Sequence, residues 1–332
     1  SELITAIVIA YEVNCRLADA FDFANRGWDE ATVSSPPAVA LAAGKLMKLP
    51  PKQLTQAVNL AINDHIPMGQ TRAQALSDWK GLADADAARN GVFAAMLARG
   101  GLTGPAPIFE GRRGFFQLVS GPAEVNVGAF GGRGVPFKIN ECGMKAFPVV
   151  VYAQTVVVAS LAMAKEVGDL DRVAAIEIVT TRQGYQSAGR DPEKWTPENR
   201  DTADHSMPYI AARVMFDGDI DNRSYTEEKL RDPRIRAFMR KITVVEDAKL
   251  GTPPGAAPPT RMTAVLVDGQ RITKEVVTMA GFAGQPMSRA DVERKFRSNI
   301  GARWSGARTE SVLQQLWTLE RMGDARSLLA IL

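Results

Sequence analysis

The stretch from Gly100 to Pro136 holds glycines at positions 104, 111, 114, 121, 128, 131, 132 and 134, too many for continuous helix, and it separates two regions of different periodicity. Before it the pattern is helical. The runs 39–47, 53–62 and 87–98 are rich in alanine and repeat apolar residues at three- and four-residue spacing. Pro36-Pro37 and Pro50-Pro51 each precede such a run, where proline is tolerated in the first helical turn. The glycine stretch reads as loops with one short helix, closing a first helical domain. Beyond Lys145 the pattern predicts a helix over 149–167, a β-branched strand over 174–180 and another at 242–245. Met262 to Val267 and Arg271 to Thr278 flank Asp268-Gly269, which predicts a hairpin with a type I′ turn. Helix returns after Ser288, an N-cap three residues ahead of Asp291, and again over 310–322. The fold class is therefore α with an inserted α+β part: helical 1–140, α+β 141–284, and a helical return over 285–332.

Composition narrows the function. Hydrophobic residues make up 45% and charged residues 23% of the 332, a globular balance, and the net charge of +3 comes from scattered side chains, which argues against nucleic acid as a partner. Cys15 and Cys142 fall short of the three or four thiolates of an iron–sulfur cluster, and with His65 and His205 they form no pair at metal-ligand spacing, so no bound transition metal is expected. Two unpatterned cysteines suit a reducing cytoplasm. The uncharged run 146–164 contains Pro148 and Gln154 and reads as a buried helix rather than a membrane span. The opening residues carry no signal-peptide pattern and read like the interior of a longer chain.

Asp201 to Ser206 packs two carboxylates, His205 and two hydroxyls just before the apolar run 210–216, so its polar groups meet a helix N-terminus. A carboxylate beside His205 suits it to proton transfer, and helix capping by Asp204 or Ser206 is the structural alternative. Arg72, Ser77 and Lys80 cluster around Trp79, a cationic pair and a hydroxyl fit to bind a carboxylate, or else a solvated loop. Lys145 stands just ahead of the buried helix at the domain junction, and a surface lysine there is the alternative. The Gly128–Gly134 run lacks a preceding strand and a phosphate-loop order, and reads as a hinge. His65, at a helix end, reads as a cap or core partner.

The string Thr202-Ala203-Asp204-His205-Ser206-Met207-Pro208-Tyr209-Ile210, with Asp217-Gly218 after it, resembles the MmgE/PrpD family, which includes 2-methylcitrate dehydratases, cis-aconitate decarboxylases and an iminodisuccinate epimerase. Gly27-Trp28-Asp29, Ser77-Asp78-Trp79-Lys80-Gly81, Ala87-Ala88-Arg89-Asn90, Thr103-Gly104-Pro105, Phe109-Glu110-Gly111, Lys145-Ala146-Phe147-Pro148, Gln285-Pro286-Met287-Ser288 and Lys295-Phe296 agree in the same order. The resemblance implies a helical domain interrupted by a smaller α+β lid, an active site between the two, and a homodimer. It places Lys80 and Lys145 at active-site lysine positions, Asp204-His205 in the family's best-known motif, and Arg72 as a carboxylate binder. It also implies further helices ahead of Ser1, and Glu30 stands where many members have a catalytic histidine. A carboxylate acts as a base there only if burial raises its pKa, and an exposed acid at a helix start is the alternative. The expected activity is a cytoplasmic, cofactor-independent hydro-lyase of the 2-methylcitrate dehydratase type, as used in propionate catabolism, acting on a small hydroxy-polycarboxylate. A decarboxylase, an epimerase and a non-catalytic ligand-binding member are the alternatives.

Overall fold

The computed structural model describes residues 2–330. The chain divides into two compact units, the first built from Ser1–Arg72, Asp78–Asn140 and Ser305–Leu332, the second from Ala73–Ser77 and Glu141–Trp304.

The first unit is helical. Helices α1 (Glu2–Ala20), α2 (Ser35–Leu46), α3 (Pro51–Asp64) and α4 (Trp79–Arg99) pack through small side chains: Ala40, Ala43, Ala57, Ala61, Ala94, Ala95 and Ala98 form one buried cluster. Gly91 allows a close approach, since a Cβ there would lie 2.6 Å from the Pro36 carbonyl oxygen. Phe21, Phe23, Phe115 and Val119 anchor a second cluster, so the glycine-rich stretch is folded onto α1 by aromatic burial. That stretch contains two short turns where one was expected, Phe116–Ser120 and Val127–Ala129. The buried carboxylate of Glu12 accepts the Gly131 and Lys138 N–H groups at 2.7 and 2.6 Å, so a side chain of α1 already fills the loop that superficially resembles an anion cradle.

The second unit is α+β. Helix α5 (Gln154–Val167) covers a four-stranded mixed sheet of order β2-β1-β3-β4, with β1 Val173–Thr180, β2 Ile242–Glu246, β3 Thr260–Leu266 and β4 Arg271–Val276. β1 pairs with β2 in parallel, Ile176 opposite Ile242, and with β3 antiparallel, Ile178 opposite Met262. A parallel pair needs a crossover. Here it carries helix α6 (Met207–Asp217), whose residues Met207 to Met215 are all buried. Ser206 caps α6 by accepting the Tyr209 N–H at 3.1 Å, and Gly218, at φ +70°, closes it. A helix α7 (Arg289–Ile300) opens with the expected Ser288–Asp291 capping box, and α8 (Gly306–Leu316) belongs to the first unit.

Three details depart from expectation. The β3–β4 turn is not type I′, because Gly269 alone of the Asp268-Gly269 pair has positive φ; Gly269 N–H bonds the Leu266 carbonyl at 2.9 Å, giving a turn over Val267-Asp268 followed by a left-handed glycine. The 149–167 helix starts as a 3-10 turn, Val151–Ala153, because Gln154 turns its amide back onto 146–149. The 310–322 helix stops at Leu316, where Thr318 Oγ1 takes the Gln314 carbonyl at 2.9 Å. No helix among the described residues is long and apolar enough to cross a membrane.

Candidate functional site

The expected site residues fall into two groups, one in each unit. In the first unit Gly27, at φ +85°, turns the chain so that its carbonyl accepts the Gly69 N–H at 2.8 Å, and Asp29 N–H bonds the Pro67 carbonyl at 3.0 Å. These bonds set Asp29 beside Arg72, whose Nε donates to Asp29 Oδ1 at 2.6 Å, while Arg72 Nη2 lies 3.8 Å from the Asp84 carboxylate of α4. Asp29 also caps the helical turn Glu30–Val33. Asp29 Oδ2 and Arg72 Nη2 are buried and make no hydrogen bond among the described residues, which leaves one carboxylate oxygen and one guanidinium nitrogen of a fixed pair available to a ligand. Glu30 begins that turn, and Lys80 is the second residue of α4. His65 closes α3 as expected, its Nδ1 2.8 Å from the Asn90 amide and 3.8 Å from Asp86.

Burial pushes the Glu30 carboxyl above its usual range, Arg72 opposes the shift, and Asp29 and Asp22 add to it. The folded state then holds this proton more tightly than the unfolded chain. Stability from Glu30 is complete below the ordinary glutamate pKa and is lost as pH rises through the raised folded value. Glu30→Gln is expected to gain stability relative to the parent as pH goes from about 4 to about 7, by a modest amount because the side chain keeps water contact; urea midpoints across that range check it, and a constant or narrowing difference contradicts it.

In the second unit Lys145, Asp204 and His205 belong to one backbone framework. Val150 N–H donates to the Asp204 carbonyl at 2.8 Å, which ties the 145–150 loop to the start of α6. His205 is buried, and its Nδ1 is bonded to the Asp204 carboxylate, which fixes the ring. The cap of α6 is Ser206, so Asp204 is left for His205. Gln154, fully buried, organises the same loop: its Oε1 accepts the Ala146 and Phe147 N–H groups at 3.0 and 3.1 Å, and its Nε2 donates to the Phe147 and Val149 carbonyls at 2.9 and 3.1 Å. Lys145 Nζ reaches the Val149 carbonyl at 3.1 Å.

This loop forms one wall of a cavity of about 870 Å³ whose charged lining includes Lys145, Arg200, Arg294 and Lys295, set against Asp219, Asp221 and Asp291. Arg200 lies 5.7 Å above the Tyr225 ring, and the Tyr225 hydroxyl donates to the Pro148 carbonyl at 2.8 Å. Lys295 Nζ donates to the Lys145 carbonyl, and burial holds its own pKa below the usual lysine range. His205 does not line this cavity. Ser77 is exposed, in a short strap of the second unit whose Leu76 N–H bonds Thr202 Oγ1 at 2.9 Å and whose Leu76 carbonyl accepts Asn199 Nδ2 at 2.9 Å.

Arg200, Tyr225 and Gln154 were not singled out from the sequence. Arg200 sits two residues before the Thr202–Ile210 string, close enough for that motif to have drawn it in, whereas Gln154 gave only a polar interruption of an apolar run.

Comparison with known proteins is consistent along the chain. The family profile described as MmgE/PrpD N-terminal domain matches residues 1–128, and the MmgE/PrpD C-terminal domain profile matches residues 147–319. The chain is 25% identical over 347 residues to human cis-aconitate decarboxylase, covering 100% of this chain and 69% of that protein. It is 25% identical over 354 residues to the Aspergillus terreus cis-aconitate decarboxylase, covering 100% and 70%. The 2-methylcitrate dehydratase of Escherichia coli strain K12 is 25% identical over 336 residues, covering 94% and 66%.

Proposed function

The chain belongs to the MmgE/PrpD family, and from that premise we propose that it is a cofactor-independent lyase acting on a small hydroxy-polycarboxylate, with loss of water as its reaction. The observation that carries the reading is the cavity of the second unit, with Lys145, Arg200 and Lys295 on its wall and its Lys145 loop hydrogen-bonded to the Asp204–His205 pair. Elimination removes a proton α to a carboxylate and expels a hydroxyl. The electron pair of the C–H bond becomes the new alkene, and the hydroxyl leaves with a proton as water. The barrier is the negative charge that builds on the carboxylate as the proton departs, and fixed cations stabilise it in a site of low dielectric. Lys145 and Arg200 supply that charge. His205, oriented by Asp204, is assigned to proton transfer or to the framework that sets Lys145. Arg72 and Lys80 of the first unit are assigned to substrate carboxylates, the former through its Asp29-fixed guanidinium, and Glu30 to proton exchange, its carboxyl raised above the usual range by burial.

The experiment is turnover of 2-methylcitrate, citrate and cis-aconitate, following alkene absorbance and released carbon dioxide, with Lys80→Ala as control. Alkene gain that disappears in the control supports the dehydratase. Carbon dioxide release instead moves the reading to a decarboxylase, the activity named for two relatives that cover the whole chain. Folded protein that is silent on all three substrates overturns the proposal.

A further inference from the structure

Surface helices dock through an apolar stripe, and α7 does not. None of its residues is buried, and its apolar side chains Val292, Phe296 and Ile300 are only half-covered. What α7 contributes to the cavity of the second unit is Asp291, Arg294, Lys295, Ser298 and Asn299. At 3.6 residues per turn these five positions fall within an arc of about 140°. The opposite side is closed on itself, Glu293 accepting from Arg289 and Arg297 at 2.8 and 3.2 Å. A helix that lines a cavity with donors, and buries nothing in doing so, is placed to meet a polar ligand.

The two cations of this stripe are not equivalent. Arg294 donates to Asp291, which also completes the Ser288 capping box, so its charge is balanced within the helix. Lys295 has no carboxylate partner among the described residues, and its Nζ donates one hydrogen bond, to the Lys145 carbonyl 150 positions earlier. An ammonium carries three donors, so two remain. Burial without a counter-charge holds its pKa down, and an anion in the cavity relieves that cost. Ser298 and Asn299 stand three and four residues on, on the same face, and add neutral donors. We propose that Lys295 is a specificity-determining residue, binding the substrate carboxylate remote from the departing proton while Lys145 and Arg200 hold the one on which charge develops. The identity of the substrate rests here on the lyase reading. The bond from Lys295 to the Lys145 carbonyl ties the gripping ammonium to the loop that stabilises charge, so two carboxylates of one ligand are read against a fixed separation.

Isothermal titration calorimetry on the whole chain, with tricarballylate and methylsuccinate as ligands, tests this beside a thermal melt. Neither has a hydroxyl to lose, and the second is the first with one flanking carboxylate replaced by hydrogen. The parent is expected to bind tricarballylate more tightly by about tenfold or more. Lys295→Met keeps an unbranched side chain without the charge. It is expected to weaken tricarballylate by about ten- to a hundredfold, the range for a hydrogen bond to a charged group, and to leave methylsuccinate within about threefold of the parent. Lys295→Arg is expected to recover part of the preference. Arg297→Gln removes a charge from the other side of the same helix and is expected to keep the preference whole. Equal weakening of both ligands by Lys295→Met marks a loosened loop rather than a lost contact and overturns the proposal. So does a parent that does not distinguish the two ligands, and so does an Arg297→Gln variant that matches Lys295→Met. Turnover is scored apart: selective binding that depends on Lys295, in protein silent toward hydroxy acids, upholds the carboxylate site and overturns only the lyase reading. Turnover with a preference indifferent to Lys295→Met overturns this inference alone.

Discussion

Lys145→Ala is expected to lower kcat for the substrate that turns over by about 10²- to 10³-fold, the usual loss when one fixed group that stabilises developing negative charge is removed. The side chain is exposed, so the melting temperature is expected to stay close to that of the parent. Lys145→Arg keeps the charge but spreads it over a fork of different reach, and only partial recovery is expected. Steady-state kinetics beside a thermal melt makes the check. Loss of activity in proportion to loss of folded protein, or kcat within a factor of a few of the parent, contradicts the assignment of Lys145 to the reacting carboxylate.

The second large effect is on stability. Gln154→Leu is expected to cost about 3 kcal/mol, because the Ala146 and Phe147 N–H groups lose their acceptor and two carbonyls lose a donor in a buried setting, at about 1–3 kcal/mol for each group left unsatisfied. The carbonyls soften the loss, since Phe147 still accepts from Val149 N–H and Val149 from Lys145 Nζ. Gln154→Glu separates the two halves of the amide: it keeps an acceptor for the N–H groups but turns an oxygen toward the carbonyls, and it is expected to be destabilised as well. Urea denaturation measures both variants. A change below about 0.5 kcal/mol for the leucine variant would mean that water replaces the amide without penalty.

What could be read from the amino acids depended on whether a short-range rule governed it. The strands at 173–180 and 242–246, the Ser288 cap and the alanine-rich helices follow from β-branching, side-chain capping and period, and their places were legible. The Asp268-Gly269 hairpin was legible as a hairpin but not in its turn type, because the same dipeptide also serves a turn that ends in one left-handed glycine. Arg213 lies in the apolar run 210–216 and is fully buried, with Nη2 on the Lys229 carbonyl at 2.7 Å and its guanidinium 5.8 Å over Tyr209. Tyr209 lies one helical turn away, but the Lys229 carbonyl is 16 positions on, and no local pattern announces it. For the same reason the Gly27-Trp28-Asp29 segment showed only a resemblance, whereas the pairing of Asp29 with Arg72, 43 positions away, makes it the fixed point of that group. The cavity that gathers Lys145, Arg200 and Lys295 is likewise made by tertiary folding, and the family-like motifs marked its pieces without their grouping.

The strap at Ala73–Ser77 has a consequence for how the molecule comes into being. Gln74 N–H bonds Asp191 Oδ2 at 3.1 Å, and Leu76 is held by Thr202 and Asn199 across 126 and 123 positions of chain. A peptide made ahead of the rest of its unit therefore waits for partners, Asp191, Asn199 and Thr202, that emerge more than a hundred residues later. Closing a loop of that length carries a large entropic toll before any contact compensates, so this docking is expected among the late events of folding. Until it happens the nascent chain must keep Leu76 and its partners from finding the wrong neighbours, and neither unit can be excised as one continuous piece.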